Sequence, residues 1–206
     1  MSSNLTSSLG VKEAERPGDD VQRRGRTDAV RAAAVRRVSH HLVGRTVLLG
    51  GLSLWISIAV LNNATDRTTN SFYLSQMTSM AAIHSDTSSG SGLLWRAIDL
   101  PWVGPALLYF VIVLQLCTAV LLLRAAVLHL QVLFGRKVSS DVANQAATIA
   151  LSAFVGIWLF FMTGGFWFGY WLHMGAFQQV HMTLLIIGIS SLIYLASTEP
   201  YLRNIS

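Results

Sequence analysis

Charge is scarce in this chain. Asp, Glu, Lys and Arg make up only 12% of its 206 residues, against about 25% in a typical soluble domain, so a water-soluble globule is excluded at the outset. Cysteine occurs once, at Cys117, which rules out an intrachain disulfide and any zinc or iron–sulfur cage built on cysteine. No G-x-S-x-G, no H-E-x-x-H and no phosphate-binding glycine loop is present, so the usual signatures of nucleophilic or metal-assisted hydrolysis and of nucleotide binding are missing. A cleavable signal peptide is not expected either, because residues 1–10 are polar and lack the apolar stretch such a peptide needs. Residues 142–198 contain no Asp, Glu, Lys or Arg at all.

What the chain does have is apolar length. Hydrophobic residues reach 52% and the mean hydropathy is +0.50. Residues 46–65, between Arg45 and Asp66, form a first uncharged run, and twenty residues at 1.5 Å rise match a hydrocarbon core of about 30 Å. Residues 102–123 form a second, ending at Arg124, with the helix able to continue to His129. As one helix, residues 142–198 would be about 86 Å long, so they must fold back. Gly164, Gly165, Gly169 and Gly175 place that turn at 164–179, leaving spans at 144–163 and 180–197. The expected fold class is an all-α integral membrane protein, a four-transmembrane-helix bundle.

The basic residues are unevenly placed. Nine precede the first run (Lys12, Arg16, Arg23, Arg24, Arg26, Arg31, Arg36, Arg37, Arg45) against five acids, which gives +4 of the total +5. By the positive-inside rule this end is cytoplasmic. Arg124, Arg136, Lys137 and Arg203 then fall on the same side, while the external loop carries only Arg67 and Arg96. Trp95, Trp102, Trp167 and Trp171 all fall at the outer interface, as an aromatic belt should. Residues 1–44 form a cytoplasmic segment: disordered through 26, then an amphipathic interfacial helix that Thr27 caps, with Val30, Ala34, Val38 and Leu42 on one side. Residues 199–206 make a cytoplasmic tail. Ser88–Gly92 reads as a flexible linker in an otherwise helical external loop.

Residues that could carry chemistry are few. No ionisable group sits at mid-depth in any span, which argues against a proton pump, an ion-coupled transporter or a carrier of charged substrates. Asp66, Arg67, Arg96 and Asp99 lie at the outer rim, where a paired structural cluster is expected. His129 lies at the inner end of its helix and His173 and His181 near the outer rim, so no pair shares the depth a b-type haem requires. Met77, Met80 and His84 are spaced i, i+3, i+7, on one face if residues 70–84 are helical. With His173 and His181 they form a candidate Cu(I) site, since thioethers and imidazole suit that ion. The competing reading is that methionine fills apolar gaps. Asn62, Asn70, Gln115, His173 and His181 could line a small-molecule cavity. Asn63-Ala64-Thr65 matches a glycosylation acceptor pattern. Gly50, Ser53 and Ser57 line one side of the first span and permit close helix approach.

A family resemblance rests on three motifs. Residues 62–70 (Asn62, Asn63, Asp66 and Asn70 at its polar positions) resemble an NN-x-TD-x-x-TN signature. Met80 and the stretch Leu94-Trp95-Arg96-Ala97-Ile98 also match. Gly164-Gly165-Phe166-Trp167-Phe168 with Tyr170-Trp171 is similar to a GGEWF-x-MW run, although Phe166 stands for the acid and Leu172 for a glutamine. The family is the bacterial predicted small integral membrane proteins called domain of unknown function 2165. The resemblance covers residues 45–197 and implies a four-helix membrane protein in the bacterial inner membrane, with no activity attached.

Two functions are compatible with these observations. One is a non-catalytic accessory or structural subunit of a larger membrane complex, such as a membrane oxidoreductase or monooxygenase. Its partners would be membrane lipid and other integral membrane subunits, with no nucleic acid and no cofactor. The alternative is a membrane protein binding a small molecule or copper at the outer ends of its helices.

Overall fold

The computed structural model describes residues 17–86 and 88–203, without the side chains of 17–22, 30–39 and 200–203. Among the described residues every regular element is a helix: α1 (Pro17–Thr65), α2 (Arg67–Thr78), α3 (Ala81–Ser85), α4 (Val103–Leu133), α5 (Ser140–Trp167) and α6 (Gly175–Arg203). Two short 3-10 turns, Ser91–Arg96 and Tyr170–Leu172, complete them. The chain divides into two units at Val38 and Ser39.

In the first unit the helix already begins at Pro17, ten residues before the expected boundary. Thr27 does not cap it. Its hydroxyl donates to the carbonyl of Arg23 from inside the helix, and residues 23–29 are exposed. The side chains of Val30, Ala34 and Val38 and all of residues 1–16 lie outside the described residues, and with them the amphipathic face and the start of the expected disordered segment.

The second unit is a four-helix membrane bundle. Four helices are long and apolar enough to span: His40–Thr65, Val103–Leu133, Ser140–Trp167 and Gly175–Glu199. Each buries one stripe at alternating spacings of three and four residues, the pattern of helices packed at a shallow angle. On α1 the stripe is Leu42, Arg45, Leu49, Leu52 and Ile56; on α4 it is Leu108, Val111, Gln115, Thr118, Leu122, Ala125 and His129. On α5 it is Asn144, Ala147, Leu151, Phe154 and Trp158, and on α6 Leu184, Gly188, Ser191, Leu195 and Thr198. Leu49, Leu122, Leu151, Phe154 and Leu195 meet in one core.

The ends of the spans differ from expectation for identifiable reasons. α4 runs to Leu133 because its buried stripe continues through Ala125 and His129 while Arg124 stays exposed. α5 starts at Ser140, where the Ser139 hydroxyl accepts from the Val142 amide at 3.3 Å and Asp141 complements the positive helix start. It continues through Gly164 and Gly165 to Trp167, so the turn is confined to residues 168–174. Those two glycines do not break the helix; Gly165 serves packing instead.

At the end of the bundle bearing α2 and α3, Asp66 opens α2 by accepting from the Thr69 amide at 3.4 Å. α2 then lies against α4 so closely that a Cβ on Gly104 would overlap the Ser75 side chain and the Ser71 carbonyl. Met80 adopts a left-handed backbone (φ 53) between α2 and α3, an uncommon state for a side-chain-bearing residue. The exposed Trp95, Trp102, Trp167 and Trp171 gather at this same end. The opposite end carries the short α4–α5 hairpin connection, residues 134–139.

Candidate functional site

Two polar clusters stand out, one at each end of the bundle. The cluster at the α2 end is built largely from the motif residues. Asn63, near the end of α1, donates its amide to Gln115 Oε1 on α4 at 2.8 Å. Gln115 is otherwise buried, so the pair satisfies an amide that lipid could not. That engagement also takes Asn63 out of the role of a glycosylation acceptor. Asn70 donates to the Asp66 carbonyl at 2.9 Å, and Asn62 contributes its carbonyl to the Asp66 amide. The NN-x-TD-x-x-TN string thus forms the corner between α1 and α2.

Arg96 lies between two indoles, with its guanidinium carbon 5.1 Å from the Trp95 ring and 5.0 Å from the Trp167 ring. Its Nη1 also donates to the Trp167 carbonyl at 3.4 Å. A cation held on two aromatic faces at a membrane boundary joins the 3-10 turn to the end of α5. The paired cluster expected of Asp66, Arg67, Arg96 and Asp99 does not form. Asp66 is used as a helix cap and Arg96 by tryptophan, and among the described residues no ion pair links the four.

His181 on α6 is enclosed by aromatics. Its ring stacks on Phe161 (4.8 Å between centroids, 17°) and on Trp158 (5.7 Å, 29°). Its Nδ1 lies 2.8 Å from the Tyr170 hydroxyl. Burial pushes the Tyr170 phenol up to about 12, so near neutral pH the hydroxyl keeps its proton and shares one hydrogen bond with Nδ1. Gly165 makes this arrangement possible, since a Cβ there would overlap the Tyr170 ring and the Gln178 amide oxygen. Gly164, its neighbour, has open space around it. Trp158 Nε1 and Gln178 Oε1 are buried here without a partner.

The five candidate copper ligands are distributed differently from the expected face. The break at Ser79–Met80 ends α2 before α3 begins, so Met77, Met80 and His84 do not share one helix. Met80 is 2% exposed and packs its methyl toward Gly169, which is the gap-filling role of methionine. His84 and His173 are exposed, and His181 has one nitrogen committed to Tyr170. Among the described residues no group of three His, Cys, Asp or Glu is placed to hold a metal ion. The cavity expected from Asn62, Asn70, Gln115, His173 and His181 is likewise dispersed, with Gln115 bound to Asn63, Asn70 to Asp66 and His181 to Tyr170.

The cluster at the hairpin end is the one sequence reading missed. Arg45, expected as a basic flank outside the first span, is 1% exposed inside the bundle. Its Nε donates to Thr198 Oγ1 at 2.9 Å, and one Nη donates to the same oxygen and to the Leu195 carbonyl, both at 2.6 Å. The other Nη donates to Asn144 Oδ1. His129, fully buried, uses Nδ1 on the Ala125 carbonyl at 3.0 Å. The Asn144 side chain is within hydrogen-bonding reach of the His129 ring, the Arg45 charge acts on that ring, and Glu199 acts on the guanidinium. Beside this cluster a groove of about 620 Å³ opens between α5 and α6, lined by Asp141, Asn144, Gln145 and Thr148 and by Leu192, Leu195, Ala196 and Glu199. The available signal was the three-four spacing, which puts Arg45 in register with Leu42 and Leu49.

The family model described as predicted small integral membrane protein (DUF2165) matches residues 41–198. The chain belongs to this family. The matched region takes in all four spans, the corner motif and both polar clusters. No curated protein and no solved structure matches the chain.

Proposed function

We propose that this integral membrane protein is a non-catalytic accessory subunit that packs one face of α5 against another membrane protein. The observation behind the proposal is the outward pair Ser152 and Gly156, one turn apart on α5. Both are exposed at membrane depth, and nothing lies within 4 Å of the position a Gly156 Cβ would take. Lipid tails gain nothing from small side chains, whereas a neighbouring helix can approach closely over a small-x-x-x-small notch. The basic residues Arg124, Arg136 and Lys137 toward the hairpin end support a cytoplasmic placement of that end, and so of both termini, in a bacterial inner membrane.

The test is gentle extraction of the tagged full chain with mass spectrometry of whatever co-purifies. A stoichiometric membrane polypeptide that is lost in a Ser152→Leu/Gly156→Leu variant supports the reading. A chain that runs alone, or a partner unaffected by the variant, overturns it. A second reading, a small polar molecule at the α5–α6 turn, is favoured by the unpartnered Trp158 Nε1 and Gln178 Oε1. Its test is ligand and metal analysis of the same preparation.

A further inference from the structure

Arg96 is a cation without a counter-charge. A guanidinium has five N–H donors, and the one bond made here is the long one from Nη1 to the Trp167 carbonyl, at 3.4 Å. Nε is buried and has no partner. Nη2 is neither enclosed nor bonded, and among the described residues no carboxylate pairs with the group. Asp99, three residues on, is exposed and does not pair with it.

The two indoles do not close over this cation. Its guanidinium carbon lies 5.1 Å from the Trp95 centroid and 5.0 Å from that of Trp167. The centroids are themselves 5.9 Å apart, with the ring planes at 75°. These three lengths make a nearly equilateral triangle, so both rings stand on one side and the cation sits at the mouth of an aromatic corner. The corner holds the guanidinium in place and replaces part of its water, which a weakly hydrated planar cation gives up readily.

Depth in the membrane is the second observation. Trp95 (72% exposed), Trp102 (65%), Trp167 and Trp171 gather at this end, and exposed indoles settle at the headgroup level of a bilayer. Arg96 rests on two of these four, so it is fixed at the same level whichever leaflet this end occupies. The abundant anion at that level is lipid phosphate.

We propose that Arg96 and its two indoles form a binding site for the phosphate of an anionic phospholipid. Nη2 donates a charge-assisted hydrogen bond to a phosphate oxygen, and the indole walls pack against the glycerol and the first acyl carbons. A lipid of net negative charge is preferred, because in a zwitterionic headgroup the attached ammonium already offsets the phosphate. Inorganic phosphate meets the same donor but leaves both indoles without contact, and so is held more weakly.

The experiment uses the full chain, extracted in mild detergent and supplied with equimolar dioleoyl phosphatidylglycerol and phosphatidylcholine. Native mass spectrometry then counts the lipids retained. Basic residues at the hairpin end attract anionic lipid as well, so the readout is the lipid lost on substitution. Arg96→Gln should remove one phosphatidylglycerol per chain and lower the preference over phosphatidylcholine by about fivefold, the ratio expected of one basic residue at a membrane surface. Arg67→Gln, an exposed cation at the same end with no indole beside it, should remove none. Trp95→Leu changes a side chain that is 72% exposed, so its unfolding temperature should hold while the same lipid is retained severalfold less. That variant keeps the test decisive if Arg96→Gln weakens the fold. Undiminished phosphatidylglycerol in Arg96→Gln or in Trp95→Leu, an equal loss in Arg67→Gln, or displacement of the lipid by millimolar inorganic phosphate would each overturn the assignment. None of these readouts depends on whether a polypeptide partner co-purifies.

Discussion

The buried Arg45 makes a prediction whose sign is unusual, because removing the charge should cost less than removing one of its acceptors. Thr198→Val deletes the hydroxyl that accepts from both Nε and one Nη of Arg45, leaving an intact cation with only the Asn144 and Leu195 oxygens. Breaking a buried charge network in this way costs about 3–5 kcal/mol, and measured hydrogen bonds within membrane bundles point to the lower end of that range. Arg45→Met removes the cation and fills much of its volume. Thr198 keeps its own bond to the Tyr194 carbonyl at 2.7 Å, and only Asn144 Oδ1 is left short of a donor, at a cost of about 1 kcal/mol. At roughly 2–4 °C per kcal/mol for a domain of this size, Thr198→Val should lower the unfolding temperature in detergent by about 6–12 °C and Arg45→Met by about 2–4 °C. The decisive measurement is the double variant. If the hydroxyl acts through the guanidinium, adding Thr198→Val to Arg45→Met should cost less than about 1 kcal/mol, the residue of an ordinary neutral contact. Equal costs of Thr198→Val in the two backgrounds would refute the coupling.

Other positions give sharper contrasts. Gly165→Ala should destabilise by about 1–3 kcal/mol through overlap with Tyr170 and Gln178, while Gly164→Ala, in open space one residue away, should be neutral or stabilising by up to about 1 kcal/mol; paired thermal melts decide it. Tyr170 ionises at about 12 in the folded chain against an ordinary 10. Between about pH 10 and 12 the unfolded state therefore holds fewer protons, and stability must fall as pH rises through that window. Tyr170→Phe should remove that part of the slope in melts taken from pH 9 to 12. Asn63→Ala should cost about 1 kcal/mol by leaving the buried Gln115 amide unpaired, and a Gln115→Leu partner change should recover part of it.

The spans were legible because their physics is local. Twenty uncharged residues fit a bilayer whatever surrounds them, so the count of four and the positions of the tryptophans could be read directly. The ends were not, since they depend on what the neighbouring helix supplies. Arg45 looked like a flank because a charge ordinarily terminates a span, yet α6 offers it a hydroxyl and a carbonyl. Gly164 and Gly165 looked like a turn because glycine is a poor helix former, yet Gly165 is needed so that the Tyr170 ring can approach the helix closely. The copper face required an unbroken helix through residue 84. Met80 adopts a positive φ instead, a tertiary event without a local signal, since Met80 itself favours helix.

The three-four spacing carried more information than hydropathy alone, and it links the two clusters. Each of the four buried stripes places a polar residue at the hairpin end: Arg45 on α1, His129 on α4, Asn144 on α5 and Thr198 on α6. Between aliphatic stripes alone, one helix can slide past another by a turn with little penalty. A guanidinium that must reach Thr198, Leu195 and Asn144 together permits only one register, which is the best-attested use of a buried polar group. Asn63 with Gln115 imposes the same restriction on α1 and α4 at the far end. The corner motif and the Arg45 cluster are thus committed to holding the bundle in register, and their side chains are already engaged in doing so. Chemistry or recognition has to be sought where polar groups remain unsatisfied or exposed. Those places include the outward notch at Ser152 and Gly156 and the indole and amide left unpartnered beside His181.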